Sequence, residues 1–257
     1  MLIRKAFSWY DFGFHLTYPY KVLNNFKYLY LPVTVVLFLI LSCNDEDQER
    51  NKPSGSAELY FDYRIWGDEE SGLMTVILRF RELDEDGDAV SLKPPSHVAF
   101  DGEKLEADSS HMNGVFYEIR IPTEDFNGTH QITYTNAEGN AYHEEFSFRA
   151  MELKTTFPET VSRRDLQLEF SGLDSSDFVH TIMTDTSKWG REIDRVDTVR
   201  NGLLTIPGSY LDQLHDGPVF LEFYREEAWP LKEAPGAGRL SITYGIKRAF
   251  ILTGGDE

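Results

Sequence analysis

Residues Asn113–Pro122 read NGVFYEIRIP, and about 85 residues further on Asn201–Pro207 read NGLLTIP. In the first copy Val115, Tyr117, Ile119 and Ile121 alternate with Phe116, Glu118 and Arg120, a period of two that makes one strand face apolar. An Asn-Gly pair opens each strand, and proline, lacking a ladder donor, stops it. Downstream of Pro122 come Asp125-Phe126, Gly128 and the strand Ile132-Thr133-Tyr134; downstream of Pro207 come Leu211, Leu214, Gly217 and the strand Leu221-Glu222-Phe223. Each copy is therefore a strand, a short helical turn, a glycine and another strand, repeated at the length of one small β-module.

The same period runs through the surrounding chain. Met74, Val76, Leu78 and Phe80 alternate with Thr75, Ile77, Arg79 and Arg81, and Leu166, Leu168 and Phe170 repeat the pattern. Turn pairs separate the runs at Asp86-Gly87, Asp101-Gly102, Asn127-Gly128, Glu138-Gly139 and Asp216-Gly217. No stretch sustains a three-turn amphipathic helix, so the expected class is all-β, built as sandwiches. Asp125–Asn140 (DFNGTHQITYTNAEGN), followed by Glu145–Phe148, resembles the last hairpin of bacterial Ig-like domains. That resemblance implies a fold and no active site. The expected organisation is two tandem Ig-like β-sandwiches, 57–150 and 151–257.

Upstream of the sandwiches, Tyr28–Cys43 is an apolar run ending at the single cysteine. It has about 15 uncharged residues, shorter than the roughly 20 a spanning helix needs, with Lys21 and Lys27 before it: the layout of a signal peptide. Ile40-Leu41-Ser42-Cys43 resembles a bacterial lipobox, which implies cleavage between Ser42 and Cys43 and acylation of the Cys43 thiol. Residues 1–42 are then leader and signal peptide. The 27 residues ahead of the run exceed any ordinary n-region, so translation is expected to start further in, near Val22 or Leu23. Asp45, Glu46, Asp47 and Glu49 look like the export signal of Bacteroidota-type surface lipoproteins, and 43–56 reads as an acidic, flexible tether. The expected location is the cell envelope, as an outer-membrane lipoprotein exposed at the surface.

The chain carries a formal charge of −18; Arg4, Lys5, Lys21 and Lys27 against Asp11 make the first 42 residues +3, leaving the remainder near −21. Such a surface repels nucleic acid and favours cationic partners. One cysteine excludes an internal disulfide. Asp84, Asp86 and Asp88 form a candidate Ca²⁺ loop, although Pro95 stands where an EF-hand requires Glu. No other cofactor is indicated. His143-Glu144-Glu145 lacks the second histidine of a zinc-protease helix, and no Gly-x-Ser-x-Gly elbow occurs, so no catalytic residue is assigned. Arg225–Arg239 reads as an unusually long hairpin loop, with Arg225, Trp229 and Arg239 of the types that anchor ligands. The expected function is non-catalytic binding or scaffolding of an envelope protein or glycan. The alternative is a polysaccharide-acting hydrolase or accessory module on the same scaffold.

Overall fold

A computed structural model describes residues 59–111, 114–187 and 190–254. Ser42, Cys43 and the tether lie outside these residues, as does the apolar run. Among the described residues no helix is long and apolar enough to cross a membrane.

The first sandwich uses β1 (Leu59–Asp68), β2 (Leu73–Glu82), β3 (His97–Phe100), β4 (Glu103–Lys104), β5 (Ala107–Ser110), β6 (Gly114–Pro122), β7 (Gly128–Thr135) and β8 (Ala141–Phe148). One sheet has the order β5-β6-β2-β1 and the other β4-β3-β7-β8. Lettered along the chain these are D-E-B-A and C′-C-F-G, the immunoglobulin arrangement. Met74, Val76, Leu78 and Phe80 are fully buried and face Tyr117, Tyr134 and Phe61 between the sheets. The Phe61 and Tyr134 rings meet edge-on at 5.1 Å, tying the two layers together.

The second sandwich uses β9 (Glu152–Leu153), β10 (Thr160–Ser162), β11 (Leu166–Ser171), β12 (Ser176–Asp185), β13 (Glu192–Arg200), β14 (Leu203–Ile206), the single-turn helix α1 (Gly208–Leu211), β15 (Gly217–Pro230) and β16 (Gly238–Thr253). β9 pairs antiparallel with β11, whereas β10 pairs parallel with β16, so the first strand of this sandwich divides between both sheets. β11 and β14 form one layer with β9, and β13-β12-β15-β16 form the other. Val179, Met183, Val219, Leu221 and Phe223 fill the space between. The repeat found in the sequence thus places its two strands at E and F of each sandwich. The class is all-β and Ig-like. The Asp101-Gly102 and Asn201-Gly202 turns have left-handed φ at both positions (48° and 85°; 50° and 79°), as two-residue hairpins demand.

Two features depart from the sequence reading. Residues 225–239 are not a long loop. β15 continues to Pro230 and β16 begins at Gly238, leaving seven connecting residues, 231–237. The outer half of this hairpin runs along the first sandwich: Phe61–Asp68 of β1 pair parallel with Gly238–Gly245 of β16. Open-edge pairing supplies the reason, because β1 would otherwise present unpaired backbone groups. Twelve strands consequently join in one hydrogen-bonded sheet across both halves. Second, β2 is not half-buried: Thr75, Ile77 and Arg79 on its outer side are buried too. There the Asp62 carboxylate lies 2.9 Å from Arg64, 3.4 Å from Arg81 and 4.0 Å from Arg79, a charge cluster on that side of the sheet.

Candidate binding surfaces

The sequence marked Arg225, Trp229 and Arg239 as ligand anchors, and the structure gives two of them internal partners. Arg225 sits at the junction of the sandwiches. Its guanidinium contacts the carboxylates of Asp177 (3.2 Å) and Glu227 (2.5 Å) and donates to the carbonyls of Arg149 (3.4 Å) and Gly172 (3.3 Å). Trp229 is half-buried against the core, and its Nε1–H donates to Glu144 Oε1 at 3.3 Å. Arg239 is exposed, opposite Asp62 on β1. The glycines of Pro235-Gly-Ala-Gly238 allow close backbone approach. A Cβ at Gly236 would lie 2.4 Å from the Leu59 carbonyl, and one at Gly238 would lie 2.7 Å from that of Phe61.

Asp84, Asp86 and Asp88 occupy the exposed turn after β2, where Asp84 Oδ1 accepts from the Asp86 N–H at 3.0 Å. Among the described residues no group of three His, Cys, Asp or Glu side chains could hold a metal ion.

Asp185, Ser187 and His215 invite comparison with a hydrolytic triad. Asp185 is buried; Ser187 Oγ donates to its Oδ1 at 2.6 Å, and His215 Nδ1 lies 3.0 Å from its Oδ2. Ser187 Oγ also lies 3.2 Å from that same Nδ1. A triad needs the serine on one imidazole nitrogen and the carboxylate on the other. Here both share Nδ1, so the cluster closes a turn. Burial pushes the Asp185 carboxyl up, but bonds from Ser187, His215 and the Arg191 backbone outweigh it and hold the group well below the usual carboxylate range.

The sequence reading missed the outer face of β13-β12-β15-β16. Its core-facing side follows the period of two; its outward side carries Phe178, Val196, Phe220 and Ile251, exposed by 62%, 56%, 52% and 43%. Register sets them diagonally across the face as two pairs, Phe178 with Val196 and Phe220 with Ile251, at opposite ends of β12. Phe220 lies opposite Ala249 and beside Ile251, Thr184 pairs with Phe220, and His180 pairs with Val196 near Phe178. Half-buried Ile182 lies between. Glu222 shares that face, accepting from the Tyr224 hydroxyl and pairing with Lys247 at 3.7 Å. Burial first, and then Glu222, pushes the Tyr224 hydroxyl well above its ordinary value. The available signal was Phe178 and Phe220 standing where alternation calls for polar residues.

No protein-family model and no curated protein sequence matches the chain. Among solved structures it is similar to the crystal structure of DIP-gamma IG1+IG2, with a TM-score of 0.22 and 9% identity over 73% of this chain and 94% of that one. It is likewise similar to Dpr11 IG1 bound to DIP-gamma IG+IG2, with a TM-score of 0.21 and 8% identity over 73% of this chain and 96% of that one. The fold assignment rests on strand order and register.

Proposed function

We propose that the protein is a non-catalytic envelope protein, tethered through acyl chains on Cys43 and exposed at the outer-membrane surface, that binds a protein or glycan through the outer face of its second sandwich. One observation carries the docking surface: two exposed apolar pairs on one sheet face, Phe178 with Val196 and Phe220 with Ile251, at positions that sheet alternation gives to water. The anchor rests on the lipobox-like Ile40–Cys43 and the acidic residues after it. Hydrolysis of polysaccharide is less well supported, because a glycosidase needs two carboxylates across a concave site. The recess lined by Tyr63, Tyr134 and Tyr142 holds one, Glu144.

Two experiments test the two parts. Cys43→Ala is expected to move the protein from the membrane fraction to the soluble fraction without changing its spectrum; retention at unchanged mass and unchanged lipid labelling refutes the anchor. A photo-crosslinking residue at Phe220 is expected to trap a discrete species on intact cells or a glycan on an array. The same residue at Arg239 is expected to trap none. Equal labelling from both positions, or none from Phe220, refutes the face.

A further inference from the structure

The buried carboxylate of Glu144 has no place in the function proposed above. It points inward from β8, 5% exposed, where the hairpin tip closes over the first sandwich. Its two oxygens accept from neutral donors: Oε1 from the Trp229 indole N–H at 3.3 Å and Oε2 from the Lys232 backbone N–H at 3.0 Å. Among the described residues no Lys, Arg or His lies within ion-pair distance of it. A buried charge is ordinarily paired, since leaving water without a counter-charge costs several kcal/mol.

Beside that carboxylate is a recess of about 10 Å³, lined by Tyr63, Tyr134, Tyr142, Glu144, Leu231 and Ala234. Three tyrosines and one carboxylate make its lining electron-rich, with no Lys or Arg among the lining residues; the imidazole of His143 is turned to Thr133 Oγ1 at 3.1 Å. The potential there is reflected in Tyr63, whose hydroxyl is pushed far above its ordinary value by burial first, and then by Tyr134 and Glu144. A space this small accommodates one water-sized group. An –NH₃⁺ head has that size and three donors, whereas a planar guanidinium or a quaternary ammonium is bulkier.

We infer that the recess between β8 and the hairpin tip is a binding site for a primary ammonium group, with Glu144 as counter-charge and Tyr63, Tyr134 and Tyr142 as walls. The strongly acidic surface concentrates such cations near its mouth. The hairpin tip belongs to the site, because Leu231 and Ala234 line it and the tip holds Glu144 in place. The site is independent of the exposed apolar pairs on the second sandwich.

The test titrates the whole chain with methylammonium, Nα-acetyl-lysine methylamide and glycinamide, following the Trp229 indole N–H by ¹⁵N NMR. The last two separate a lysine side chain from a chain terminus as the source of the ammonium. At least one of the three is expected to shift the Trp229 signal saturably, while tetramethylammonium, acetyl-arginine methylamide and sodium chloride at matched ionic strength do not. Glu144→Gln is expected to weaken the response about tenfold or more, as loss of a charge-assisted bond does. Should that variant unfold, Tyr142→Leu, at a half-buried wall, is expected to weaken it at least about threefold with the melting curve retained. Phe178→Ser and Phe220→Ser are expected to leave it unchanged, which separates this site from the docking face. Equal shifts with sodium or tetramethylammonium, no response to any primary amine, or full affinity in a folded Glu144→Gln or Tyr142→Leu overturns the inference.

Discussion

Leu240→Ala is the most demanding perturbation of this architecture. Leu240 belongs to the last strand of the chain, yet it lies beside Tyr63 of β1 and opposite Trp229, with no exposed surface. Truncating a fully buried leucine costs about 2–5 kcal/mol, the upper part applying where the surroundings cannot collapse. Around Leu240 the backbone is held by eight parallel register pairs from Phe61–Gly238 to Asp68–Gly245, so little relaxation is available. Taking roughly 3 kcal/mol, and about 2–4 °C per kcal/mol for a chain of this size, the melting point should fall by roughly 6–12 °C. Location matters more than size. Hydrogen exchange followed by mass spectrometry should show protection lost in β1 and β2, some 160–180 residues earlier, as well as in β15 and β16. The isolated segment 57–150 should likewise be less protected at β1 than the same residues in the whole chain. Exchange confined to the second sandwich in Leu240→Ala, or native protection in the isolated segment, would refute the reasoning that the hairpin completes the first sandwich.

Other outcomes follow from single features. Phe178→Ser with Phe220→Ser removes exposed apolar groups, so the denaturation midpoint should move by no more than about 0.5 kcal/mol per site while crosslinking from a photo-reactive residue at the neighbouring Thr184 is lost. In acid, the depressed Asp185 carboxyl contributes stability that is complete above its unfolded value near 4 and is lost as pH falls through its lower folded value. Asp185→Asn should therefore flatten the acid limb of the stability profile. In alkali the sign reverses: burial, with Glu69 and Asp68 nearby, raises Tyr244 to about 12, so its contribution is intact below pH 10. Between pH 10 and 12 the unfolded chain releases that proton first, and roughly 2 kcal/mol should disappear, less in Tyr244→Phe. Leu83, 63% exposed with φ of 69°, pays for a left-handed backbone with no buried contact in return, so Leu83→Asn should raise stability by about 0.5–1 kcal/mol in urea titration.

The sandwiches were legible because local chemistry sets them. Period-two runs such as 74–80 fix which side faces inward, and Asn201-Gly202 or Asp101-Gly102 fix where a strand reverses. The hairpin between residues 225 and 239 was not. Residues 225–230 pair with 239–244 across the hairpin and 238–245 pair in turn with β1, about 180 residues away, while Pro230, Pro235 and the glycines around them read locally as loop. Those glycines answered to the Leu59 and Phe61 carbonyls, atoms that no local window contains. The docking face was half legible. Phe220 and Phe178 could be placed on the outer side by alternation, but their adjacency to Val196 and Ile251 depends on register across four strands. Glu144 was noticed only inside a failed zinc motif; its burial depends on Trp229 and Lys232 arriving from the other half of the chain.

The parallel pairing of β1 with β16 also has a mechanical meaning. A pull on the amino-terminal end of β1, opposed at the carboxy-terminal end of β16, acts along the axis of β1 and against β16, whose far end lies within the second sandwich. The hydrogen bonds between the two strands are then loaded side by side in shear instead of being opened one after another. A load applied there meets its resistance at once, spread over the whole length from Phe61 to Asp68. The seam between the halves is therefore a clamp that stiffens the molecule along the shared axis of β1 and β16.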